Sequence, residues 1–185
     1  MKLQISLMKD EKAKSELEVD VNEMTSMLDS YVSFVKTESP EPIETIIINE
    51  LIGDIVKTVE KNGVELTIKE KNTIQTSGRQ IQLKRAFNNI IDNSQRYAKK
   101  IEIILYTNEK DCVIEFNDDG EGIPRDKYED VFKPFFTLDP SRNKLKGESG
   151  LGLTITRDII RSHGGDVKLS ESNLGGLQLK VLLPL

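Results

Sequence analysis

The chain has 185 residues, 31% of them charged, with a formal net charge of -5 and a pI near 5.1. That length suffices for one sizeable core, or for a domain with an appended element, and the acidic balance argues against a globally basic nucleic-acid binder while leaving small anionic ligands open. A single cysteine, Cys112, excludes an internal disulfide, and with a single histidine, His163, it makes a zinc site improbable; the composition fits a reducing, cytoplasmic compartment. No apolar run reaches the roughly 18 residues of a membrane-spanning helix, and the first residues carry no signal-peptide pattern.

Leu3, Ile5, Leu7 and Met8 read as the end of one helix, and the polar stretch "KDEKAKSE" as the turn that sends the chain back. Leu17, Val21, Met24, Leu28, Tyr31 and Val35 then alternate spacings of four and three, which sets them on one stripe of a long helix. A two-helix hairpin cannot bury such a stripe alone, so pairing of two copies into a four-helix bundle would complete it; packing on the chain's own domain is the alternative. Pro40 and Pro42 in "TESPEP" forbid helix continuation and mark a linker. The expected organisation is thus a hairpin over 1–38, a linker over 39–45 and a domain over 46–185.

Within that domain "ETIII" reads as a strand, "NELIGDIVKTVEKNG" as a helix stopped by Gly63, and "VELTIKE" as a strand. A long helix is expected from about Arg79 to Ala98, followed by adjacent strands "KIEIILYT" and "CVIEFNDD". The polar "TLDPSRNKLKGES" reads as a mobile loop, "LGLTITRDIIRSHGG" as a helix, and "DVKLSES" with "LQLKVLLP" as a closing hairpin. The expected fold class is α/β (α+β): a two-layer sandwich of a mixed sheet with helices on one face.

Three stretches carry chemistry. On the long helix Asn89, Asn93 and Arg96 recur at four and three beside the apolar face of Leu83, Phe87, Ile90 and Ile91. Amide oxygens suit Mg²⁺ that already holds phosphate oxygens, and a guanidinium can grip phosphate; a solvated helix face is the plain alternative. In "NDDGEGIP", Asp118 is followed by Gly120 and Gly122, so a carboxylate acceptor stands beside backbone free to approach a flat ligand such as adenine. A strand-ending turn is the plain alternative, and an EF-hand fits poorly because the alternating oxygen ligands are missing. In "GESGLGLTITRDII", Gly147, Gly150 and Gly152 precede a helix start, which makes a phosphate cradle; the Lys-Ser or Lys-Thr ending of a P-loop is lacking.

Together, in this order and with "VFKPFFTL" between the second and third, these stretches resemble the ATP-binding catalytic domain of sensor histidine kinases, in the wider gyrase, Hsp90, histidine kinase and MutL superfamily. Asn89 and Asn93 match the N box, Asp118, Gly120 and Gly122 the first glycine box, Phe132, Pro134 and Phe135 the F box, and Gly150 and Gly152 the second glycine box. The helical hairpin and prolines match the family's dimerisation helices and linker, most like its EnvZ branch. The resemblance implies the Bergerat fold, with ATP between the long helix and a flexible lid. Asp118 would receive the adenine amino group, with Tyr97 and Ile123 flanking the ring. Asn93 and Asn89 would hold Mg²⁺, with Arg96 beside the phosphates. Ser149, Gly150, Leu151, Gly152 and Leu153 would line the phosphate side. Lid residues Arg142, Lys144 and Lys146 would attract the triphosphate, unless they are simply a solvated loop.

The chain departs from the pattern at Glu148, where a glycine is usual, and at Leu177, where many relatives carry a small hydroxyl residue. The expected hairpin also holds no histidine, so the phosphoacceptor would lie just upstream of "MKLQISLM" and the chain would bind ATP and Mg²⁺ without phosphorylating itself. Asn89 is then the one candidate catalytic side chain. Implied partners are the histidine-bearing helix of a parent kinase, a response regulator and a second copy, with no nucleic acid, in a parent anchored in the inner membrane. Two other readings remain: a catalytically silent nucleotide-sensing dimerisation module, favoured by Glu148, and a superfamily ATPase, disfavoured because an amide at position 89 cannot take a proton from water. An anti-sigma serine kinase lacks the N-terminal hairpin. His163, in "RSHGGDV", could be a nucleophile, a metal ligand or a helix end; the family writes His-Gly-Gly here, so it reads as structural. Gly164 or Gly165 would take the left-handed C-cap, with the imidazole favouring the helix dipole.

Overall fold

The computed structural model describes residues 41–58, 64–138 and 150–185, together with Leu17, Val21 and Thr25. Those three are helical, and the Thr25 hydroxyl donates to the Val21 carbonyl at 2.7 Å. The rest of the expected hairpin, the expected helix end at Gly63 and residues 139–149 of the expected loop, including Arg142, Lys144, Lys146, Glu148 and Ser149, lie outside the described residues.

In chain order the elements are β1 (Glu44–Ile47), α1 (Ile48–Thr58), β2 (Glu65–Glu70), β3 (Gln75–Gly78), α2 (Gln80–Tyr97), β4 (Lys100–Thr107), β5 (Asp111–Asp118), α3 (Gly152–Ser162), β6 (Asp166–Glu171) and β7 (Leu177–Pro184). Two 3₁₀ turns, Arg125–Lys127 and Asp130–Phe132, lie between β5 and α3. The five-stranded sheet has the order β2-β4-β5-β7-β6; β2 runs parallel to β4 and the other neighbours are antiparallel, so the sheet is mixed.

Strand alternation sorts the sheet into two faces. Ile101, Ile103 and Leu105 of β4, Ile114 and Phe116 of β5, and Leu179, Val181 and Leu183 of β7 join one core with Ile52 and Ile55 of α1, Leu83, Phe87 and Ile91 of α2, and Ile155 and Ile160 of α3. The alternate residues are mostly polar, with Ile104, Val113 and Leu182 as apolar exceptions. Thr67, Glu102, Asn117, Gln178 and Ser170 stand in one row across all five strands. In it the Ser170 hydroxyl donates to Gln178 at 2.8 Å and the Gln178 amide to Asn117 at 2.9 Å. One face is therefore covered by helices and the other mainly by polar side chains, the two-layer arrangement expected from the sequence.

Strand β3 was not expected. It pairs antiparallel with β1, from Glu44↔Gly78 to Ile47↔Gln75, and only Thr76 and Gly78 turn inward. "QTSG" carries no apolar alternation, and what fixes it is the partner strand and the Thr76 hydroxyl donating to the Pro184 carbonyl at 2.7 Å.

The ends of α2 and α3 meet. Helix α3 closes in a Schellman turn: Gly164 takes φ +76°, its N–H donates to Arg161 O at 3.0 Å, and the Gly165 N–H donates to Ile160 O at 3.0 Å. His163 does not act there as a cation on the helix dipole. Its Nδ1 lies 2.7 Å from Ile159 O, which makes that nitrogen the protonated donor, and its Nε2 accepts the Arg79 N–H at 3.0 Å. The imidazole is thus neutral and caps the start of α2, in space left by Gly78, where an added Cβ would lie 2.9 Å from the ring. Burial holds its pKa below the ordinary value of 6.5, helped by the Arg79 charge and opposed by the Ile159 bond and Glu41.

Candidate functional site

Asp118 ends β5 on the helix-facing side and is 5% exposed. Its Oδ1 accepts N–H bonds from Gly120 at 3.0 Å and Leu177 at 2.9 Å, and its Oδ2 accepts the Ser94 hydroxyl at 3.3 Å. Backbone closes around it: the Gly176 N–H donates to the Asp118 carbonyl at 3.1 Å. A Cβ on Gly176 would collide with Asp118 Oδ1 and with Gly120 N, and one on Gly120 would come 3.0 Å from the Tyr97 carbonyl. Gly122 takes φ +70° over Gly176, a conformation closed to most side chains. Ile123, next in chain, is partly buried against the core.

Helix α2 brings its polar face to the same end of the sheet. Its last residue, Tyr97, is 40% exposed and its carbonyl abuts Gly120, so Tyr97 and the first glycine box are neighbours. One and two turns earlier lie Asn93 and Asn89, both half-buried, and Arg96 is exposed on the last turn. Asn89 Nδ2 donates to the Gly152 carbonyl at 3.3 Å, which fixes that amide with its oxygen left to accept. Among the described residues, none bonds to the Asn93 side chain.

The F box and second glycine box are joined through their backbones. Gly150 takes φ +63° and Phe135 takes φ +62°, and the Phe135 N–H donates to the Gly150 carbonyl at 3.0 Å. A Cβ on Gly150 would stand 2.8 Å from the Phe135 carbonyl carbon. Pro134 and Phe135 are exposed, whereas Phe132 is 3% exposed and lies under the Arg157 guanidinium, 4.3 Å from ring centroid to Cζ. Helix α3 starts at Gly152 with Leu151, 6% exposed, as N-cap, and Leu151 supplies no side-chain cap to the first-turn amides. Leu153 packs partly buried against the core. The Thr156 hydroxyl bonds to Gly152 O at 2.9 Å and Ala86 O at 3.4 Å, holding α3 to α2.

The described members of the expected set therefore gather at one edge, where α2, the β5 end and the start of α3 converge. Three contributors were missed by sequence reasoning. Ser94 sits at core spacing after Leu83, Phe87 and Ile91, and a small hydroxyl on a core face was its only signal. Gly176, in the turn between the last two strands, was given no role. At Leu177 the backbone N–H supplies a bond to Asp118, so the side-chain departure leaves that contact intact.

The donor set suits a nucleotide with a divalent ion. An acceptor carboxylate, glycine-only backbone and an aromatic side chain stand at one end, and two amide side chains and a helix start whose N-cap residue offers no side-chain cap at the other. Among the described residues no group of three or more His, Cys, Asp or Glu side chains could hold a metal, so an ion here would draw on amide and phosphate oxygens. Thiol chemistry has no place in it: burial pushes Cys112 up to about 11, and its Sγ faces Gln75 O at 3.4 Å.

Residues 78–185 match the family model described as histidine kinase-, DNA gyrase B- and HSP90-like ATPase, more than half of the chain. The chain is 29% identical to sensor histidine kinase GtrS of Pseudomonas aeruginosa over 100% of its own length and 38% of the relative's. It is 30% identical to sensor histidine kinase CpxA of Escherichia coli over 95% of its length and 40% of the relative's. It thus spans about two-fifths of the curated relatives it matches. Among solved structures the mycobacterial sensor histidine kinase MprB shares the fold with a TM-score of 0.68 at 24% identity, covering 77% of this chain and 97% of that one. Acinetobacter baumannii histidine kinase AdeS shares it at 0.67 and 17% identity over 99% of this chain and 91% of that one. The expected resemblance holds: this chain belongs to the histidine kinase-, DNA gyrase B- and HSP90-like ATPase family, with sensor histidine kinases as its homologues.

Proposed function

We propose that the chain is the ATP-binding catalytic part of a two-component sensor histidine kinase, binding ATP with Mg²⁺ for phosphoryl transfer to a histidine outside these 185 residues. The observation that carries this reading is the Asp118 carboxylate, oriented by two backbone N–H groups and a hydroxyl against a surface of glycine backbone. An acceptor held that way suits the amino group of adenine, with Tyr97 and Ile123 at the ring. Asn93 and Asn89 supply oxygens to the ion, Arg96 faces the phosphates, and Ser149, Gly150, Leu151, Gly152 and Leu153 carry the phosphate-side backbone. When bound, Mg²⁺ neutralises charge on the phosphates. The protein's own task is to orient the triphosphate and exclude water, which positions the γ-phosphorus for a nucleophile.

Hydrolysis in the manner of an ATPase is disfavoured because Asn89 is a neutral amide already donating to Gly152 O. His163 cannot be the acceptor, since both its ring nitrogens are engaged in joining α3 to α2. The catalytic domain has its core within residues 46–185, the 39–45 linker already lends it Glu41 and the first residues of β1, and 1–38 are part of a dimerisation hairpin. The Glu41 carboxylate accepts the Ile81 and Gln82 N–H groups at the start of α2. The partners are a histidine-bearing helix of the parent kinase, its response regulator and a second copy. The domain works on the cytoplasmic side of a parent held in the inner membrane. Among the described residues no helix is long and apolar enough to cross a membrane.

Calorimetric titration with a non-hydrolysable ATP analogue tests the reading. Binding should require Mg²⁺ and weaken at least about tenfold, ~1.4 kcal/mol, in Asn93→Ala. Absence of binding by the intact chain overturns it in favour of a silent module. Stable label on this chain from γ-labelled ATP would overturn the placement of the acceptor elsewhere.

A further inference from the structure

Three donors reach the Asp118 carboxylate, and one of them is held loosely. Oδ1 is filled by the Gly120 and Leu177 N–H groups at 3.0 and 2.9 Å, so an incoming donor finds its acceptor at Oδ2. The group already on Oδ2 is the Ser94 hydroxyl, and its 3.3 Å bond is long, since a hydroxyl donating to a carboxylate ordinarily closes to about 2.5–2.7 Å. Ser94 is 5% exposed, on the face of α2 that carries Leu83, Phe87 and Ile91 into the core, and among the described residues its hydroxyl has no second partner. A hydroxyl on a core face costs free energy unless its hydrogen bonds are made, and this one makes a single long bond. It also rotates about its own C–O bond, so its proton is free to turn from Oδ2 to another acceptor once a stronger donor arrives there.

We propose that Ser94 is a second base-reading residue: its hydroxyl donates to N1 of adenine while Asp118 Oδ2 accepts from the amino group. An acceptor and a donor side by side on the protein then face a donor and an acceptor side by side on the base. Of the two ring acceptors that flank the amino group, N1 is the one assigned. Sugar and phosphates leave the base from its five-membered ring toward the half-buried Asn93 and Asn89, so the six-membered edge enters the buried end where Ser94 lies. The ligand selected is a purine with an amino group beside an unprotonated ring nitrogen. This assignment rests on the proposed reading of Asp118 as the adenine acceptor. A Ser94 that merely orients Asp118 affects every adenine nucleotide alike, whereas a base-reading Ser94 acts through N1.

The test titrates the full chain, with Mg²⁺ present, against the non-hydrolysable ATP analogue and its 1-deaza and 7-deaza counterparts, in which C–H replaces N1 or N7. The parent chain should bind the 1-deaza compound at least about threefold more weakly than the analogue itself, the effect of one lost neutral hydrogen bond. Ser94→Ala should bind the analogue at least about threefold more weakly than the parent does, yet hold the analogue and its 1-deaza form within about 1.5-fold of each other. Any 7-deaza ratio should be the same in parent and variant. Ser94→Cys, close in size and only a weak donor, should give a 1-deaza ratio between the two, and it takes the place of Ser94→Ala if that variant fails to fold. A parent that binds the analogue and its 1-deaza form equally overturns the assignment. So does a 1-deaza ratio that survives intact in Ser94→Ala, which leaves Ser94 a support for Asp118, or a change confined to the 7-deaza ratio, which moves the contact to N7. In each of these cases the analogue still binds and the proposed function stands; absence of binding by the parent chain overturns both.

Discussion

The two oxygens of Asp118 are unequally committed: Oδ1 holds two backbone N–H groups, and Oδ2 holds only the Ser94 hydroxyl at 3.3 Å. Asp118→Asn can keep the first pair by turning its carbonyl to Oδ1, but this places an NH₂ donor where an adenine amino group needs an acceptor. Analogue affinity should fall at least about tenfold while folding is retained, because the two backbone donors are still satisfied; unchanged affinity would remove Asp118 from the site. Gly176→Ala acts differently, since its Cβ would drive into Asp118 and Gly120 backbone and side chain alike, so stability should drop by about 1–3 kcal/mol in denaturant unfolding. His163 makes a pH prediction with a definite sign. Its folded pKa is lowered, so below about pH 6.5 the unfolded chain takes a proton that the folded chain refuses, and stability falls as pH drops from there toward the folded value. Protonated Nε2 would become a donor facing the Arg79 N–H donor. Urea midpoints at about pH 7.5 and about pH 5.5 should differ more in the parent chain than in His163→Gln, and equal differences would assign the loss to other groups.

At the level of elements, the F box is fastened to α3 by two devices whose weights differ. Arg157 reaches Glu129 at 3.0 Å and covers the Phe132 ring, but Glu129 is 86% exposed at its side chain whereas that of Arg157 is 17% exposed. Solvent screens the ion pair to within about 0–1 kcal/mol, while the stacked guanidinium and its buried stem contribute about 1–2 kcal/mol. Arg157→Ala should therefore destabilise clearly more than Glu129→Ala in parallel denaturant titrations; the reverse order would make the ion pair the fastening. The backbone joint between Phe135 and Gly150 sets a second requirement. Gly150 has φ +63° and no room for a Cβ, and Phe135 is held at φ +62°, a conformation that costs a bulky residue of order 1–3 kcal/mol. That cost is borne where the chain leaves for and returns from residues 139–149, so the two ends of that stretch are held side by side by the Phe135–Gly150 hydrogen bond.

For the whole molecule, the parts legible in the sequence were those with a period or a spacing. The apolar faces of α2 and α3 and the alternation in β4, β5 and β7 gave the two layers, and glycines at fixed offsets from Asp118 gave its cluster. What escaped was held by partners distant in sequence: β3, whose "QTSG" follows β1 and the Pro184 carbonyl; Ser94 and Gly176 beside Asp118; and the caps of α2 from Glu41 and His163. No local pattern encodes a cap supplied from 40 residues upstream. This bears on where the folded unit begins. Among the described residues the hydrophobic core runs from Ile46 to Leu183, which alone would favour cutting the chain at 46. Such a cut divides β1 and discards Glu41, removing strand pairs with Gly78 and Ser77 and the acceptors of two helix amides. A chain of residues 41–185 should fold with both caps of α2 in place. One of residues 46–185 should be less stable by about 1–3 kcal/mol, lowering the thermal midpoint by roughly 2–8 °C. Scanning calorimetry of the two side by side decides it: coincident midpoints would show that β1 and Glu41 add nothing to the unit, and the folded domain would then begin at its core.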